Sequence, residues 1–150
     1  AVKIPVFVKI SANSDYIDVA KKAVEGGADG ITAINTLRGY IYDPIFRRPL
    51  LNSPKGYGGV SGPSLKPILR RVLVDISGEV NVPIIAVGGI DSARDIIELS
   101  MLGARGFQIC SAIAYKGFNV FRKILDDLRS YLRNIGVRSY REFLEGLRRS

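Results

Sequence analysis

The sequence contains no histidine, no tryptophan, one methionine and one cysteine, Cys110. A single thiol cannot form an internal disulfide, and without histidine it can complete neither a zinc site nor an iron–sulfur site. No histidine is available to activate Cys110 as a nucleophile, and it follows an apolar run that predicts a buried strand. We therefore expect no metal site and a packing and backbone role for Cys110.

Long hydrophobic runs are also absent, and none approaches the roughly 18 residues that cross a bilayer. The first ten residues lack the layout of a secretory signal, so we expect a soluble, cytoplasmic protein without a membrane partner. The 22 lysines and arginines outnumber the 14 acidic residues, which gives a net charge of +8. These cations are scattered and have no interleaved aromatic stacking motif, which argues against nucleic-acid binding.

The chain is nevertheless long and apolar enough for one globular domain, with 150 residues of which 47% are hydrophobic. Short apolar runs rich in β-branched residues predict buried strands, and each is followed by a helical pattern. Gly27–Ile31 and Gly103–Phe107 repeat one pattern where a helix ends and a strand begins. The sequence therefore predicts four βα units in succession, with strands at residues 5–10, 30–34, 82–87 and 106–109.

Local signals place the helices between these strands. Ser14 is predicted to cap the first helix, Pro63 to open the second, and Ser92–Asp95 to form a capping box for the third. Ser139–Glu142 is predicted to cap a short terminal helix. Residues 35–62 show no clear period, and loops of that length are usually functional. The predicted apolar face of the long last helix comprises Phe118, Phe121, Leu125, Leu128 and Leu132.

Repeated βα units form parallel sheets that are either doubly wound or closed into a barrel. Polar or small residues follow every predicted strand, which places them on the rim where barrel enzymes bind substrates. Since a complete (β/α)8 barrel takes about 250 residues, four units make half of one, and its open edges would pair with another half. We expect residues 1–150 to be a single domain, strands 5 to 8 of a barrel, with the N-terminal half missing. A self-complementing half-barrel is the alternative.

Small residues after the last two strands resemble the phosphate site that barrels form from their last two βα loops. These residues are Gly88 and Gly89 after the third strand and Cys110 and Ser111 after the fourth. Backbone N–H groups there could reach phosphate oxygens, with further donors from a helix N-terminus near residues 112–117. The alternative is that the glycines only end strands.

Three other features point to the same rim. Lys9 lies in an apolar strand, where an ammonium group costs on the order of several kcal/mol unless an anion, a ligand oxygen or an internal salt bridge receives it. Asn35 and Thr36 offer donors and acceptors suited to a planar heterocycle, although an ordinary turn would explain them too. Gly56–Pro63 is a flexible loop whose amides could receive ribityl or phosphate oxygens. It is not a dinucleotide fingerprint, because it does not follow a strand within a short βαβ turn.

Together, these motifs resemble the class 1 dihydroorotate dehydrogenase family over nearly the whole chain, as the C-terminal half of its FMN-binding barrel. The motifs are Val6–Ser11, Gly26–Thr36, Tyr57–Gly62, Ala86–Ile90 and Gln108–Ile113. The segments Tyr57–Gly62, Gly88–Ser92 and Ile109–Ile113 are closer to the pyrimidine-reducing barrel of dihydropyrimidine dehydrogenase. Many dihydroorotate enzymes have Gly-Thr where Cys110 and Ser111 stand, which leaves the substrate open between dihydroorotate and uracil or thymine.

The resemblance implies an FMN-dependent oxidoreductase of pyrimidine metabolism that acts on a CH–CH bond. By resemblance, Lys9 contacts the flavin at its N1/O2 side as the catalytic cation, and Asn35 and Thr36 bind the pyrimidine. The matching FMN positions are Lys9, Ile34, Gly62, Gly88, Gly89, Ile90, Cys110 and Ser111. The family's catalytic cysteine or serine precedes the strand of Lys9 and is absent here, so the chain alone is expected to be inactive.

The implied partners are the remaining barrel half, an electron-transfer subunit or domain carrying Fe–S or FAD, and further copies in a homo-oligomer. Two alternatives stay open. One is another phosphate-binding (β/α)8 enzyme, and the other is a non-catalytic half-barrel that self-associates through its open edges.

Overall fold

The computed structural model describes residues 3–147. The strands are β1 (Phe7–Ile10), β2 (Gly30–Ala33), β3 (Leu37–Tyr40), β4 (Tyr42–Asp43), β5 (Arg48–Pro49), β6 (Tyr57–Val60), β7 (Ile84–Val87) and β8 (Ala104–Gln108). The α-helices are α1 (Tyr16–Glu25), α2 (Lys66–Ser77), α3 (Ala93–Met101), α4 (Ser111–Lys116), α5 (Asn119–Asn134) and α6 (Tyr140–Leu147), and a 3-10 turn over Gly62–Leu65 precedes α2.

Four strands form one parallel sheet whose spatial order, β1-β2-β7-β8, follows the chain. Each crossover contains a helix: α1 packs against β1 and α2, α2 against β2 and β7, and α3 against β8 and α5. Sequential parallel strands with helical crossovers are the arrangement of a (β/α)8 barrel. The prediction of a half-barrel with four parallel βα units and a terminal helix is therefore confirmed.

The core lies between the sheet and its helices. All four residues of β2 are buried, as expected for a strand with neighbours on both sides. Fully buried Leu69, Leu73 and Ile76 of α2 and Leu99 of α3 pack in the same cluster. Burying each of these side chains contributes about 1.5–3 kcal/mol before the entropy of ordering is subtracted.

The prediction that the first strand is buried on both faces is wrong. β1 lies at an edge of the sheet, and Val6 and Phe7 remain 39% and 43% exposed. Only Ile10, at its carboxyl end, is fully buried. The sequence pattern of β1 is that of a covered strand, but no described residue covers its outer edge.

The helix caps match the predictions with one exception. The first helix is capped by Asp15, whose side chain accepts from the Asp18 amide, whereas the Ser14 hydroxyl donates to the carbonyl of Ser11. The Ser92–Asp95 capping box is present as predicted. At the last helix, the Ser139 hydroxyl accepts from the Glu142 amide at 3.1 Å.

The apolar residues of α5 do not form one buried face. Val120, Ile124 and Leu132 are buried, whereas Phe118 is 78% exposed and Leu125 51%. The predicted face is buried only in part: Leu132 is buried and Leu128 packs against the core, whereas Phe118, Phe121 and Leu125 remain exposed, and Val120 and Ile124 join the core beside α3. The apolar surface of this helix is wider than its buried part, and the exposed remainder indicates a second packing surface.

Residues 35–62 contain two short antiparallel pairs and are not an irregular loop. β3 pairs with β6 from Leu37 opposite Val60 to Tyr40 opposite Tyr57, and β4 pairs with β5 beyond them. The Tyr40 and Tyr57 rings meet edge to face at 5.9 Å. Strands of two to four residues are too short to show a period in the sequence. Among residues 3–147, no helix is both long and apolar enough to cross a membrane.

Candidate cofactor site

The carboxyl ends of the four parallel strands open into one pocket of about 250 Å³. It brings together all ten residues that the sequence analysis assigned to a site: Lys9, Ile34, Asn35, Thr36, Gly62, Gly88, Gly89, Ile90, Cys110 and Ser111. Ser61, Leu65, Val87 and Gln108 also line it and were not predicted. Ser61 and Val87 each precede a predicted residue, Gln108 lies two positions before Cys110, and Leu65 shows no polar signal in the sequence. The pocket is slightly smaller than the roughly 300–1,000 Å³ of small-molecule sites, as expected for part of one.

Lys9 differs from the prediction in its exposure. Its side chain is exposed, because β1 lies at the sheet edge, so burial does not force a partner on the ammonium group. Among the described residues, no carboxylate forms an ion pair with Lys9 and no hydrogen bond engages its amine. The internal salt bridge considered as the alternative is therefore not formed. Lys9 is therefore a cation on the wall of the pocket that no residue of the described range 3–147 neutralises.

Two glycine segments pack closely on the opposite wall. Gly88 and Gly89 have φ of +145° and +74°, a region that side chains rarely adopt. A Cβ on Gly89 would lie 2.5 Å from the carbonyl oxygen of Gly62. Only glycine allows the two loops to approach so closely, which leaves backbone groups and no side chains at this part of the wall.

Asn35 and Thr36 form the turn that follows β2. The Thr36 amide donates to Oδ1 of Asn35 at 2.9 Å, and the Asn35 amide donates to the carbonyl of Ile10. Asn13 holds the turn from the β1–α1 loop: its Nδ2 donates to the Thr36 carbonyl, and its Oδ1 accepts from the Arg38 amide, both at 3.1 Å. Sequence reasoning missed Asn13, because a single asparagine in a loop carries no pattern.

Cys110 is exposed, which corrects the prediction that it lies at a buried strand end. It is the residue before α4, after β8 has ended at Gln108, and its side chain makes no capping hydrogen bond. The helix that was expected near residues 112–117 starts at Ser111. Ser11, which follows β1, is not part of the pocket wall, and its hydroxyl accepts hydrogen bonds from the backbone amide and Nδ2 of Asn13.

A cluster of ion pairs lies directly behind the glycine segments. Asp95, 3% exposed, accepts hydrogen bonds from Lys66 at 2.9 Å and Arg70 at 3.0 Å. Burial alone would raise the pKa of the Asp95 carboxyl. The hydrogen bonds from Lys66, the backbone of Asp91, Ser92 and Arg70 outweigh that effect and hold the pKa well below its usual range.

The donor set of the pocket suits an organic anion. Among residues 3–147, no group of three or more His, Cys, Asp or Glu side chains could hold a metal ion. The pocket has the Lys9 cation on one side and glycine backbone on the other, with the Asn35 amide and the Thr36 hydroxyl between them. Such a set of groups can bind a flat polar ring that carries a phosphate tail. Two features fit FMN: the close approach of Gly89 to Gly62, which a Cβ would prevent, and the amine of Lys9.

The sequence matches the family model described as dihydroorotate dehydrogenase over residues 1–132. Among curated proteins, it is 43% identical over 134 residues to the "Dihydroorotate dehydrogenase B (NAD(+)), catalytic subunit" of Methanocaldococcus jannaschii, and 39% identical over 141 residues to that of Pyrococcus furiosus. The matches cover 89% and 93% of this chain but only 43% and 46% of the relatives. The chain thus spans less than half the length of the curated relatives it matches.

Solved structures show the same likeness. The ligand-free dihydroorotate dehydrogenase of Eimeria tenella aligns with a TM-score of 0.71 and 31% identity over 91% of this chain and 38% of that one. Its complex with ferulenol aligns with a TM-score of 0.69 and 29% identity over 87% of this chain and 35% of that one.

Proposed function

Because the chain belongs to the dihydroorotate dehydrogenase family, we propose that its protein is an FMN-dependent oxidoreductase that converts dihydroorotate to orotate. The observation that carries the proposal is the convergence of Lys9, the Asn35–Thr36 turn and the glycine segments on one pocket. The names of the relatives favour dihydroorotate over uracil or thymine as the substrate.

Each part of the pocket has a role in this reaction. Oxidation of the C5–C6 bond removes a hydride from C6 and a proton from C5, and FMN supplies the hydride acceptor. Lys9 would hold the ring of the cofactor and favour negative charge on it, since no carboxylate of residues 3–147 pairs with its amine. Asn35 and Thr36 orient the pyrimidine through amide and hydroxyl groups. The ribityl and phosphate end would be held by the backbone of Gly62, Gly88 and Gly89 and by the Cys110–Ser111 segment, and Ile34 and Ile90 would pack beside it.

We assign the group that accepts the C5 proton to a segment outside these 150 residues. No histidine exists in the chain, and the pocket wall contains no carboxylate. Cys110 lies in the proposed cofactor-binding segment and is not assigned this role. The relatives are more than twice as long as the matched region, which leaves room for such a segment.

We further propose that the chain supplies strands 5 to 8 of an eight-stranded barrel. In the described part of the chain, β1 and β8 are unpaired edges of the parallel sheet. The exposed residues Phe7, Phe118 and Leu125 are apolar surface that a second half would cover. Phe118→Asp in the full-length protein is expected to lower its stability if that face is covered. An unchanged free energy of unfolding would contradict this placement.

The printed names of the relatives call them catalytic subunits and specify NAD+. On that basis we propose a second, electron-transferring subunit between the flavin and NAD+, a homo-oligomeric catalytic core, and a cytoplasmic location where NAD+ is available. Dihydroorotate should then reduce the bound flavin of the isolated catalytic protein without reducing NAD+, and NAD+ reduction should require the second subunit.

The proposed function is tested with the full-length protein under anaerobic conditions. The protein should retain FMN, and dihydroorotate should bleach the flavin absorbance faster than dihydrouracil does. Lys9→Met should lower flavin retention or the rate of bleaching while the protein stays folded. The matched control is Lys22→Met, which removes an exposed lysine of α1 whose ion pair is with Asp18 of the same helix. A protein that binds no FMN, or a Lys9→Met variant that behaves like Lys22→Met, would contradict the proposal.

A further inference from the structure

The ion-pair cluster behind the pocket joins three segments of the pocket wall. Lys66 begins α2, directly after the Gly62–Leu65 turn, and its amine contacts Asp91 at 2.8 Å and Asp95 at 2.9 Å. Asp91 follows the Gly88–Ile90 segment. Lys116, at the end of α4, contacts the carboxylate of Asp91 and also donates to its backbone carbonyl, both at 3.2 Å.

Asp95 is the centre of this cluster. Besides Lys66 and Arg70, its Oδ2 accepts from the backbone amides of Asp91 and Ser92, both at 3.1 Å, and from the Ser92 hydroxyl at 2.8 Å. No described buried side-chain polar atom lacks a partner, so the carboxylate is fully satisfied. One buried charge therefore fixes the backbone after the glycine segment and the start of α2.

Helix capping alone does not explain the cluster. A capping box requires only Ser92 and the Asp95 carboxylate. Lys66 comes from α2 and Lys116 from α4. These two helices and the Asp91 loop all adjoin the pocket wall. Burying charges is not by itself stabilising compared with apolar packing, so a cluster of this kind is better explained by the geometry that it imposes.

The cluster also determines which groups are left for an anion. Lys66 is paired with two carboxylates, and its Cγ lies 3.0 Å from where a Cβ on Gly89 would stand. Its charge is therefore neutralised inside the cluster although it lies beside the glycine segment. A phosphate in the pocket would therefore depend on the backbone groups of the glycine segments. The ion-pair cluster, on the side of these segments away from the pocket, fixes their positions.

We propose that Asp95 is a positioning residue for the phosphate end of the pocket, acting through the backbone of Asp91 and Ser92 and through Lys66. The proposal rests on the proposed function, because it takes the phosphate of FMN as the ligand. Asp95 touches no ligand itself. Its role is to hold the 62–65, 88–91 and 110–116 segments in one arrangement.

The test compares the affinity of the full-length apoprotein for FMN and for riboflavin, which has the same ring and ribityl chain but no phosphate. Asp95→Asn keeps the size of the side chain and removes the charge that orders the amides. Its preference for FMN over riboflavin should fall by about tenfold, the order expected when one charge-assisted hydrogen bond is lost. The affinity for riboflavin should stay nearly unchanged. A general loss of stability would instead lower the affinities for FMN and riboflavin together.

Glu98→Gln is the matched control. Glu98 lies on the same helix and pairs with Arg70 and Arg94, but it contacts neither the Gly88–Ser92 segment nor Lys66. Its variant should keep the FMN preference of the wild type. If Asp95→Asn does not fold, Lys116→Gln replaces it, since this half-exposed side chain only ties α4 to Asp91. That variant should lower the preference by about threefold, a part of the full effect.

The outcomes separate the inference from the proposed function. A folded Asp95→Asn protein with the wild-type FMN preference would overturn the inference, as would an unchanged Lys116→Gln variant if Asp95→Asn is unfolded. An equal fall in Glu98→Gln would overturn it too, because the effect would then come from any charge lost on α3. Wild-type protein that binds neither flavin would overturn the proposed function itself.

Discussion

Replacing Gly89 by alanine tests whether the two glycine segments of the pocket wall are packed as closely as the structure shows. Gly89 has a φ of +74°, and a Cβ there would lie 2.5 Å from the Gly62 carbonyl oxygen and 3.0 Å from Cγ of Lys66. The first of these contacts is with backbone and cannot be relieved by a side-chain rotation. Alanine should therefore push the two segments apart or force Gly89 out of its conformation.

The magnitude follows from two contributions. A Cβ at positive φ costs about 1–2 kcal/mol. Overpacking against a fixed neighbour adds about 1–3 kcal/mol, so Gly89→Ala should lower the free energy of unfolding by about 2–5 kcal/mol. Gly136 provides the matched control, because it has the same φ of +74° and nothing within 4 Å of its Cβ position. Gly136→Ala should show only the first contribution, about 1–2 kcal/mol.

The assay is urea unfolding of the two variants and the wild type as full-length proteins, followed by a titration with FMN. Gly89→Ala should be the less stable variant and should bind FMN more weakly, whereas Gly136→Ala should bind it as the wild type does. Equal losses of stability with equal FMN affinity would refute the close packing of Gly89 on Gly62.

Three further predictions concern the scaffold. Tyr16→Phe removes the 2.5 Å hydrogen bond to Asp75 that links α1 to α2, and urea unfolding should show a loss of about 1 kcal/mol; no loss would mean that the bond is not formed in solution. Leu69→Ala opens a cavity in the fully buried face of α2 and should cost about 2–5 kcal/mol by the same assay, and a cost under about 1 kcal/mol would contradict its place in the core. The pKa of the Asp95 carboxyl is lower in the folded than in the unfolded protein, and this difference stabilises the fold above the unfolded-state pKa near 3.9. The stabilisation is lost as pH falls toward the folded-state pKa. The stability difference between wild type and Asp95→Asn should therefore narrow below about pH 4. A difference that is constant from pH 7 to pH 3 would contradict that ion-pairing.

The parallel sheet and the position of the pocket could be predicted because their signals are local and repeated. Apolar runs mark β1, β2, β7 and β8, and the residue after each strand must lie at the same edge of a parallel sheet. That geometric rule alone predicts Lys9, Asn35, Gly88 and Cys110 around one opening, and all four line the pocket.

Other features depend on distant parts of the chain and could not be predicted. The exposure of Lys9 follows from the edge position of β1, which the residues of β1 do not encode. Which face of α5 is buried depends on where α3 lies, so Val120 and Ile124 replaced Phe118 and Leu125 in the core. The partners of Asp95 come from α2 and from the Asp91–Ser92 loop, and only its role in the capping box could be recognised from spacing.

The central claim is that the free amine of Lys9 and the backbone of the glycine segments share one pocket and bind one flavin. The reduction potential of the bound FMN tests it most directly, measured in the wild type, Lys9→Met and Lys22→Met. Loss of the Lys9 cation should disfavour the added negative charge, so the potential of Lys9→Met should become more negative while that of Lys22→Met stays at the wild-type value. Identical potentials in all three proteins would contradict the claim.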